Sequence, residues 1–303
     1  MKFLKKLQRF KETYIYLLKR VEYIQEALGR IEAKQNLITQ NRDINSNEFK
    51  VYSQSGEDGI LQFLINNVKI SSNRFIEFGI ENYLESNTRF LALNNFWKGL
   101  IIDGSKSNIE FIKNDPIYWR CQINAVESFI TKDNINDIIR SSNFDGNIGI
   151  LSIDIDGNDY WVWKNINCID ASIIVIEYNS YFGKEANVTV PYDPNFVRNS
   201  KHYSKIYYGA SICALVNLGK EKGYSLVASN LGGNNLFFVK NEYLNNISPL
   251  DINDAYRRSN YREVHDENGK LTYEKFEVAQ SRILEMDVID LNTNMLNKIK
   301  NII

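Results

Sequence analysis

With 303 residues, 44% of them apolar, and with 4 Trp, 18 Tyr and 16 Phe, the chain has the material for a large core and is not a disordered polymer. Thirty-six Lys and Arg against 37 Asp and Glu leave a net charge of −1, which excludes a global electrostatic attraction to nucleic acid. Cys121, Cys168 and Cys213 are scattered without C-x-x-C spacing, which argues against a disulfide framework or zinc site and fits a reducing cytoplasm.

The chain starts MKFLKKLQRF, too charged for a signal-peptide core, and no run approaches the roughly 20 apolar residues that span a bilayer. In the first section, residues 1–46, Leu7, Phe10, Tyr14, Leu17, Val21, Ile24, Leu28 and Ile31 recur at alternating spacings of three and four. Ile38 continues the series and Gln35 interrupts it. This period predicts a coiled-coil-like helix and a homo-oligomer joined through residues 7–38. Two readings stay open beside it: the helix packs on its own domain, or it lies peripherally on the inner membrane surface by its Lys/Arg-rich start.

The second section, residues 47–240, alternates strand-like and helix-like runs. Strands are expected at 74–79, 98–103, 118–123, 148–154, 172–178, 224–229 and 235–240, with helices near 57–68, 86–96, 106–114, 133–142, 159–167 and 209–223. Nearly continuous apolar strands alternating with helices predict an α/β, Rossmann-like doubly wound sheet. Only NLGGN separates the last two strands, so a hairpin makes the final one antiparallel. The third section, residues 241–303, loses the alternation; its end reads as largely helical and the section as a cap or lid.

Ligands of such sheets sit outside the carboxyl ends of the strands. The first of these ends, FIEFGIENYLESNT (75–88), carries Gly79 together with Glu77, Glu81 and Glu85. Gly79 lets backbone approach a ligand, and Asp103, 24 residues further on, suits a ribose diol because a carboxylate accepts both hydroxyl hydrogens. The G-x-G-x-x-G fingerprint of dinucleotide sites is absent, and the acids disfavour a pyrophosphate. A cationic, ribose-bearing ligand fits instead, and S-adenosylmethionine has both features. Glu81 and Glu85 also read as charges at a helix start.

YSQSGEDGIL (52–61), FIEFGIENYLESNT, GLIIDGSKSNIE (99–110), ILSIDIDGNDYWVW (150–163) and IIVIEYN (173–179) together resemble the FkbM-type class I methyltransferases of bacteria, in a branch associated with capsule, surface-glycan and natural-product genes. The resemblance covers about residues 50–240. It implies a seven-stranded sheet of order 3-2-1-4-5-7-6. By motif, Glu77 and Gly79 would line the methionine part of S-adenosylmethionine and Asp103 would bind its ribose. Ser105 would adjoin that acid, Asp154 would border the cofactor, Asn124 would lie near the adenine, and Ser53 and Gln54 would close over it. The chain departs from the family in having fewer glycines in the first turn.

Beyond the cofactor, Asp154 and Asp156 are two residues apart at the end of one strand and point to one side if extended; Glu177 and Asn179 repeat the spacing on the next. Crowded carboxylates either raise one pKa, giving a base, or bind a cation. His202 offers a general base or a nitrogen ligand, and Tyr208 and Asn179 are candidate acceptor contacts. The IDIDGNDY stretch also resembles macrocin-type O-methyltransferases, which implies Asp154 or Asp156 with Glu177 as ligands of a divalent metal (Mg or Mn); residue 179 is Asn where that family carries a further Asp. Asp159 reads as a cap of the following helix. The expected activity is methyl transfer to a hydroxyl of a sugar or glycan precursor. Alternatives are transfer to nitrogen or a phosphate oxygen, an NAD-linked oxidoreductase, and a noncatalytic oligomeric scaffold.

Overall fold

The computed structural model describes residues 2–39 and 43–303; residues 40–42 of the first section lie outside the described residues. After α1 (Lys2–Thr39) come α2 (Glu57–Asn67), β1 (Arg74–Phe78), α3 (Arg89–Asn94), β2 (Lys98–Asp103), α4 (Lys106–Asn114), α5 (Pro116–Arg120) and β3 (Ile123–Glu127). Then follow α6 (Ile135–Ser141), β4 (Gly146–Ile153), α7 (Asp159–Asn165), β5 (Ile169–Glu177), a short β6 (Val188–Thr189), α8 (Arg198–Lys201) and α9 (Ile212–Glu221). The chain ends with the hairpin β7 (Tyr224–Ser229) and β8 (Asn235–Lys240), helices α10 (Ile252–Ala255) and α11 (Phe276–Ser281), and the hairpin β9 (Asp287–Asp290) and β10 (Met295–Lys298).

The main sheet has the order β3-β2-β1-β4-β5-β8-β7, with β8 antiparallel to both neighbours. This is the expected doubly wound topology; the numbering shifts only because β6 belongs to the smaller sheet β10-β9-β6. Alternation along the strands divides the core into two layers. Phe75, Ile101 and Ile150 face one, while Ile76, Phe78, Leu100, Ile102 and Leu151 face the other.

Three expectations are corrected. The third strand lies at 123–127, not 118–123, because Pro116 sits at the first helical position and Asp115 caps it, accepting from the Ile117 amide at 2.8 Å. The C-terminal end is not largely helical: DVIDLNTNMLNK forms the β9–β10 hairpin. Asp290 holds its turn by accepting from the Asn292 amide (2.9 Å) and the Thr293 hydroxyl (3.0 Å), turn chemistry that overrides helical spacing.

The third correction concerns α1. It does pack on its own domain, but through Glu22, Glu26, Gly29, Ala33 and Asn36, not through its apolar seam. Tyr52 donates to Glu22 (3.2 Å) and Glu26 (3.3 Å), Arg89 pairs with Glu22 at 3.6 Å, and Asn36 donates to the Asn47 carbonyl at 3.0 Å. Gly29 allows this approach, since a Cβ there would lie 2.4 Å from Val51. Leu7, Phe10, Tyr14, Leu17, Val21, Ile24, Leu28 and Ile31 are all exposed.

Candidate active site

Strand order reverses between β1 and β4, so their loops diverge and open a crevice at the carboxyl ends. Phe78 is in register with both Ile102 and Ile153, which brings Gly79, Asp103 and Asp154 to one level. Gly79 has φ 67°, and a Cβ there would lie 1.5 Å from the Asp154 carbonyl oxygen. The contact between the two turns therefore requires glycine.

Glu77 closes the turn that follows. Its carboxylate accepts from the Ser86 hydroxyl (2.8 Å), the Asn87 amide (2.8 Å), the Thr88 amide (3.2 Å) and the Thr88 hydroxyl. Burial pushes its pKa up, and these bonds oppose the rise. Glu81 and Glu85 do not start a helix, since α3 begins at Arg89; both border the cleft.

Asp103, at the end of β2, accepts from the amides of Ser105 (2.7 Å) and Glu81 (2.9 Å) and from the Asn108 side chain (3.0 Å). Ser105 caps α4 through the Asn108 amide. Beside them is a cavity of about 340 Å³ whose apolar walls include Phe129, Ile155 and Phe196. Asn124 lies within β3, in register with Leu100, and does not line this cavity; Ser128 and Phe129, past the strand's end, do. Gly79, Glu81, Asp154 and Asp156 border both this cavity and a second of about 460 Å³.

The larger cleft holds the carboxylates. Asp154, Asp156 and Glu177 each offer an oxygen within 4.8 Å of the others. Asp156 adopts φ 56°, bending the loop after β4 so that its carboxylate meets the other two. Glu177 is 6% exposed, and its Oε2 has no hydrogen-bond partner among the described residues. Burial, then the charges of Asp154 and Asp156, raise the Glu177 pKa well above its ordinary value. Burial, then Asp156 and Asp159, do the same to Asp154.

Arg198, the first residue of α8, which His202 follows, answers this charge. It pairs with Asp156 at 2.6 Å and Glu263 at 2.7 Å, and its guanidinium lies 3.8 Å from the centre of the Tyr208 ring. Burial opposes its charge, but Tyr208, Glu177, Asp156 and Glu263 hold its pKa above the ordinary value. His202 itself lines neither cavity. Its Nδ1 lies 2.6 Å from the Ser204 hydroxyl, and burial and Arg282 lower its pKa. Tyr208 does line the cleft. Asn179 is buried behind it, donating to the carbonyls of Ile206 and Tyr208, each at 2.9 Å, so it fixes the segment that carries Tyr208. Gln54 reaches the cleft and accepts from Asn234 at 2.9 Å.

Asp159 accepts from the amides of Ile155 (2.8 Å) and Gly157 (2.9 Å), so it secures the turn before α7; burial raises its pKa to about 6. Sequence reasoning missed Arg198 and the wall formed by Ser259, Tyr261, Arg262 and Glu263. A lone arginine carries no pattern, and the C-terminal wall depends on long-range folding. Phe129 and Phe196 were equally invisible as partners, lying 67 residues apart in the chain.

No helix among the described residues is long and apolar enough to cross a membrane. No family model and no curated protein matches the chain. Among solved structures the chain is similar to a S-adenosylmethionine-dependent methyltransferase from Clostridium acetobutylicum, at 11% identity over 60% of this chain and 89% of that one, with a TM-score of 0.40. It is also similar to a putative caffeoyl-CoA O-methyltransferase from Staphylococcus aureus, at 16% identity over 71% and 99%, with a TM-score of 0.41. A third similar structure is the N-terminal domain of EvdMO1 with S-adenosylhomocysteine bound, at 10% identity over 56% and 74%, with a TM-score of 0.37.

Proposed function

We propose that the chain is a S-adenosylmethionine-dependent methyltransferase acting on a hydroxyl of a sugar or surface-glycan precursor. The observation that carries this reading is the pair of adjoining cavities at the β1/β4 crevice, one apolar beside Asp103 and one lined by carboxylates. Adenosine fits the first, with its ribose diol on Asp103 and its base beside Phe129 and Phe196. The sulfonium and ammonium then extend past Gly79 toward Asp154 and the acid-lined cleft, where negative charge stabilises them.

In the transfer, the acceptor oxygen attacks the methyl carbon and the carbon–sulfur bond breaks. Its electron pair stays on sulfur, giving a neutral thioether. The acceptor proton goes to the carboxylate of Glu177, a residue of the cleft lining whose Oε2 has no hydrogen-bond partner among the described residues and whose raised pKa makes it a stronger base. Tyr208 and the Ser259–Glu263 segment shape the acceptor side. The orphaned Glu177 oxygen and the all-oxygen ligand set fit a hard divalent cation, Mg or Mn. Asp154, Asp156 and Glu177 would hold it, Glu177 then serving as a ligand in place of its role as base, and it would supply Lewis acidity at the acceptor hydroxyl.

Calorimetric titration tests the cofactor: S-adenosylmethionine and S-adenosylhomocysteine should bind and NAD should not. Removing Asp103 deletes two charge-assisted hydrogen bonds of about 1.5–3 kcal/mol each. Asp103→Ala should therefore weaken S-adenosylhomocysteine binding by at least 10-fold; unchanged affinity would remove Asp103 from the site. A panel of nucleotide-activated sugars and free glycans, read by S-adenosylhomocysteine release and product mass, then identifies the acceptor and separates oxygen from nitrogen transfer.

A further inference from the structure

We propose that the first five turns of α1, residues 3–21, form an interfacial helix that docks this chain on an anionic lipid bilayer. The domain grips α1 only from Glu22 onward, and residues 3–20 are exposed on every side. At 1.5 Å per residue this leaves a projecting rod of about 27 Å. Phe3, Leu4, Leu7, Phe10, Tyr14, Ile15, Leu17, Leu18 and Val21 are each between 42% and 76% exposed.

At 100° per residue these side chains span an arc of roughly 160°, with Lys11 the one charge inside it. That is wider than the narrow a/d seam of a two-stranded coiled coil. The opposite arc carries Lys5, Lys6, Arg9, Lys19 and Arg20 against the single acid Glu12. Residues 1–20 hold seven Lys or Arg and one Glu, while the remaining 283 residues hold 29 basic and 36 acidic side chains. A cationic amphipathic helix on a net-negative body is matched by a surface that offers hydrocarbon and negative charge together.

A second copy of the chain is a poorer match. Parallel pairing through the 3–4 seam places Lys6, at a g position, against Lys11 at the partner's e position, and the one acid of the first two heptads, Glu12, sits at the outward f position.

The test is sedimentation of the full chain with vesicles of 30% phosphatidylglycerol in phosphatidylethanolamine, against vesicles of phosphatidylcholine alone. Binding to the anionic vesicles should be at least 10-fold greater and should fall with added salt. Phe10→Asp with Leu17→Asp should abolish it, and Lys5→Glu, Lys6→Glu and Arg9→Glu together should remove the preference for anionic lipid. These positions are exposed, so both variants should keep the wild-type melting temperature and S-adenosylhomocysteine affinity. Equal binding to both vesicles, or none to either, overturns the proposal. So does a stable oligomer in sedimentation that Phe10→Asp dissociates without any vesicle binding, which would make a second copy the occupant.

Discussion

In the proposed reaction Glu177 is the residue that takes the acceptor proton. Its raised pKa makes it protonated, and idle as a base, over a pH range in which ordinary carboxylates are already ionised. The acid limb of kcat should therefore lie above the usual carboxylate range, with activity rising as pH rises through it. Asp154→Asn removes a neighbouring charge and should move that limb to lower pH. Glu177→Gln should cut kcat by roughly 10²–10⁴, the usual contribution of a general base, while cofactor affinity stays within a few-fold. A pH–rate profile of the three proteins checks both; a limb that does not move in Asp154→Asn would break the coupling. Gly79→Ala is the complementary change. It places a Cβ on the Asp154 carbonyl and a side chain in the left-handed region, which alone costs about 1–2 kcal/mol. Thermal melting should show a clear loss of stability, with cofactor binding lost too.

The loops around the site are held as units by buried carboxylates. Asp58 accepts from the amides of Val51 (2.8 Å), Tyr52 (2.7 Å) and Ser53 (2.8 Å), tying the loop before α2 to that helix. Glu57 ties the same region to the β7–β8 turn through Asn230 and Asn235. Burial raises Asp58 to about 6 from 3.8. A carboxyl with a raised folded-state pKa holds its proton more tightly when folded, so its contribution to stability is present at low pH and is lost as pH rises toward 6. Relative to Asp58→Asn, the wild-type chain should lose on the order of 2–3 kcal/mol between pH 4 and 6.5, measured by denaturant unfolding. The QSGEDG motif is thus legible as a site motif in sequence, yet in the fold its two acids work as braces of the surrounding loops. The turn 79–88 behaves likewise: Glu77, singled out for the cofactor, spends its oxygens on Ser86, Asn87 and Thr88.

At the scale of the molecule, the sheet and its crevice form one body, α1 projects from it, and the C-terminal section supplies a wall. That section is stitched on by polar contacts: Tyr178 donates to the Arg257 carbonyl at 2.6 Å, Tyr256 donates to the Ser180 carbonyl at 2.9 Å, and the Ser259 amide donates to the Ser180 hydroxyl at 3.0 Å. Its residue Glu263 pairs with Arg198, so the wall and the carboxylate cluster are electrostatically linked. Deleting residues 3–20 removes exposed side chains, and the melting temperature should stay within about 2 °C of wild type, the shift that a change of less than about 1 kcal/mol produces. Calorimetry would show a larger change if those residues packed on the body.

The sheet was readable because its strands are continuous apolar runs bounded by glycine and acidic turns, a local pattern that burial on both faces demands. Asp103, Gly79, Asp154, Asp156 and Glu177 were readable as strand-end residues for the same reason, since topology sends strand ends to one edge. What local pattern could not supply was orientation. The alternating spacing of Leu7 to Ile31 identified a helix with an apolar stripe, but only packing showed that Glu22, Gly29 and Ala33 face the body and leave the stripe outside. Asn179 repeated the spacing of a ligand, yet its amide turns inward to two carbonyls, whereas Arg198 had no pattern and reaches the carboxylates. Chain order determines which residues arrive at an edge; long-range contacts decide which way each side chain turns and which distant charge meets it.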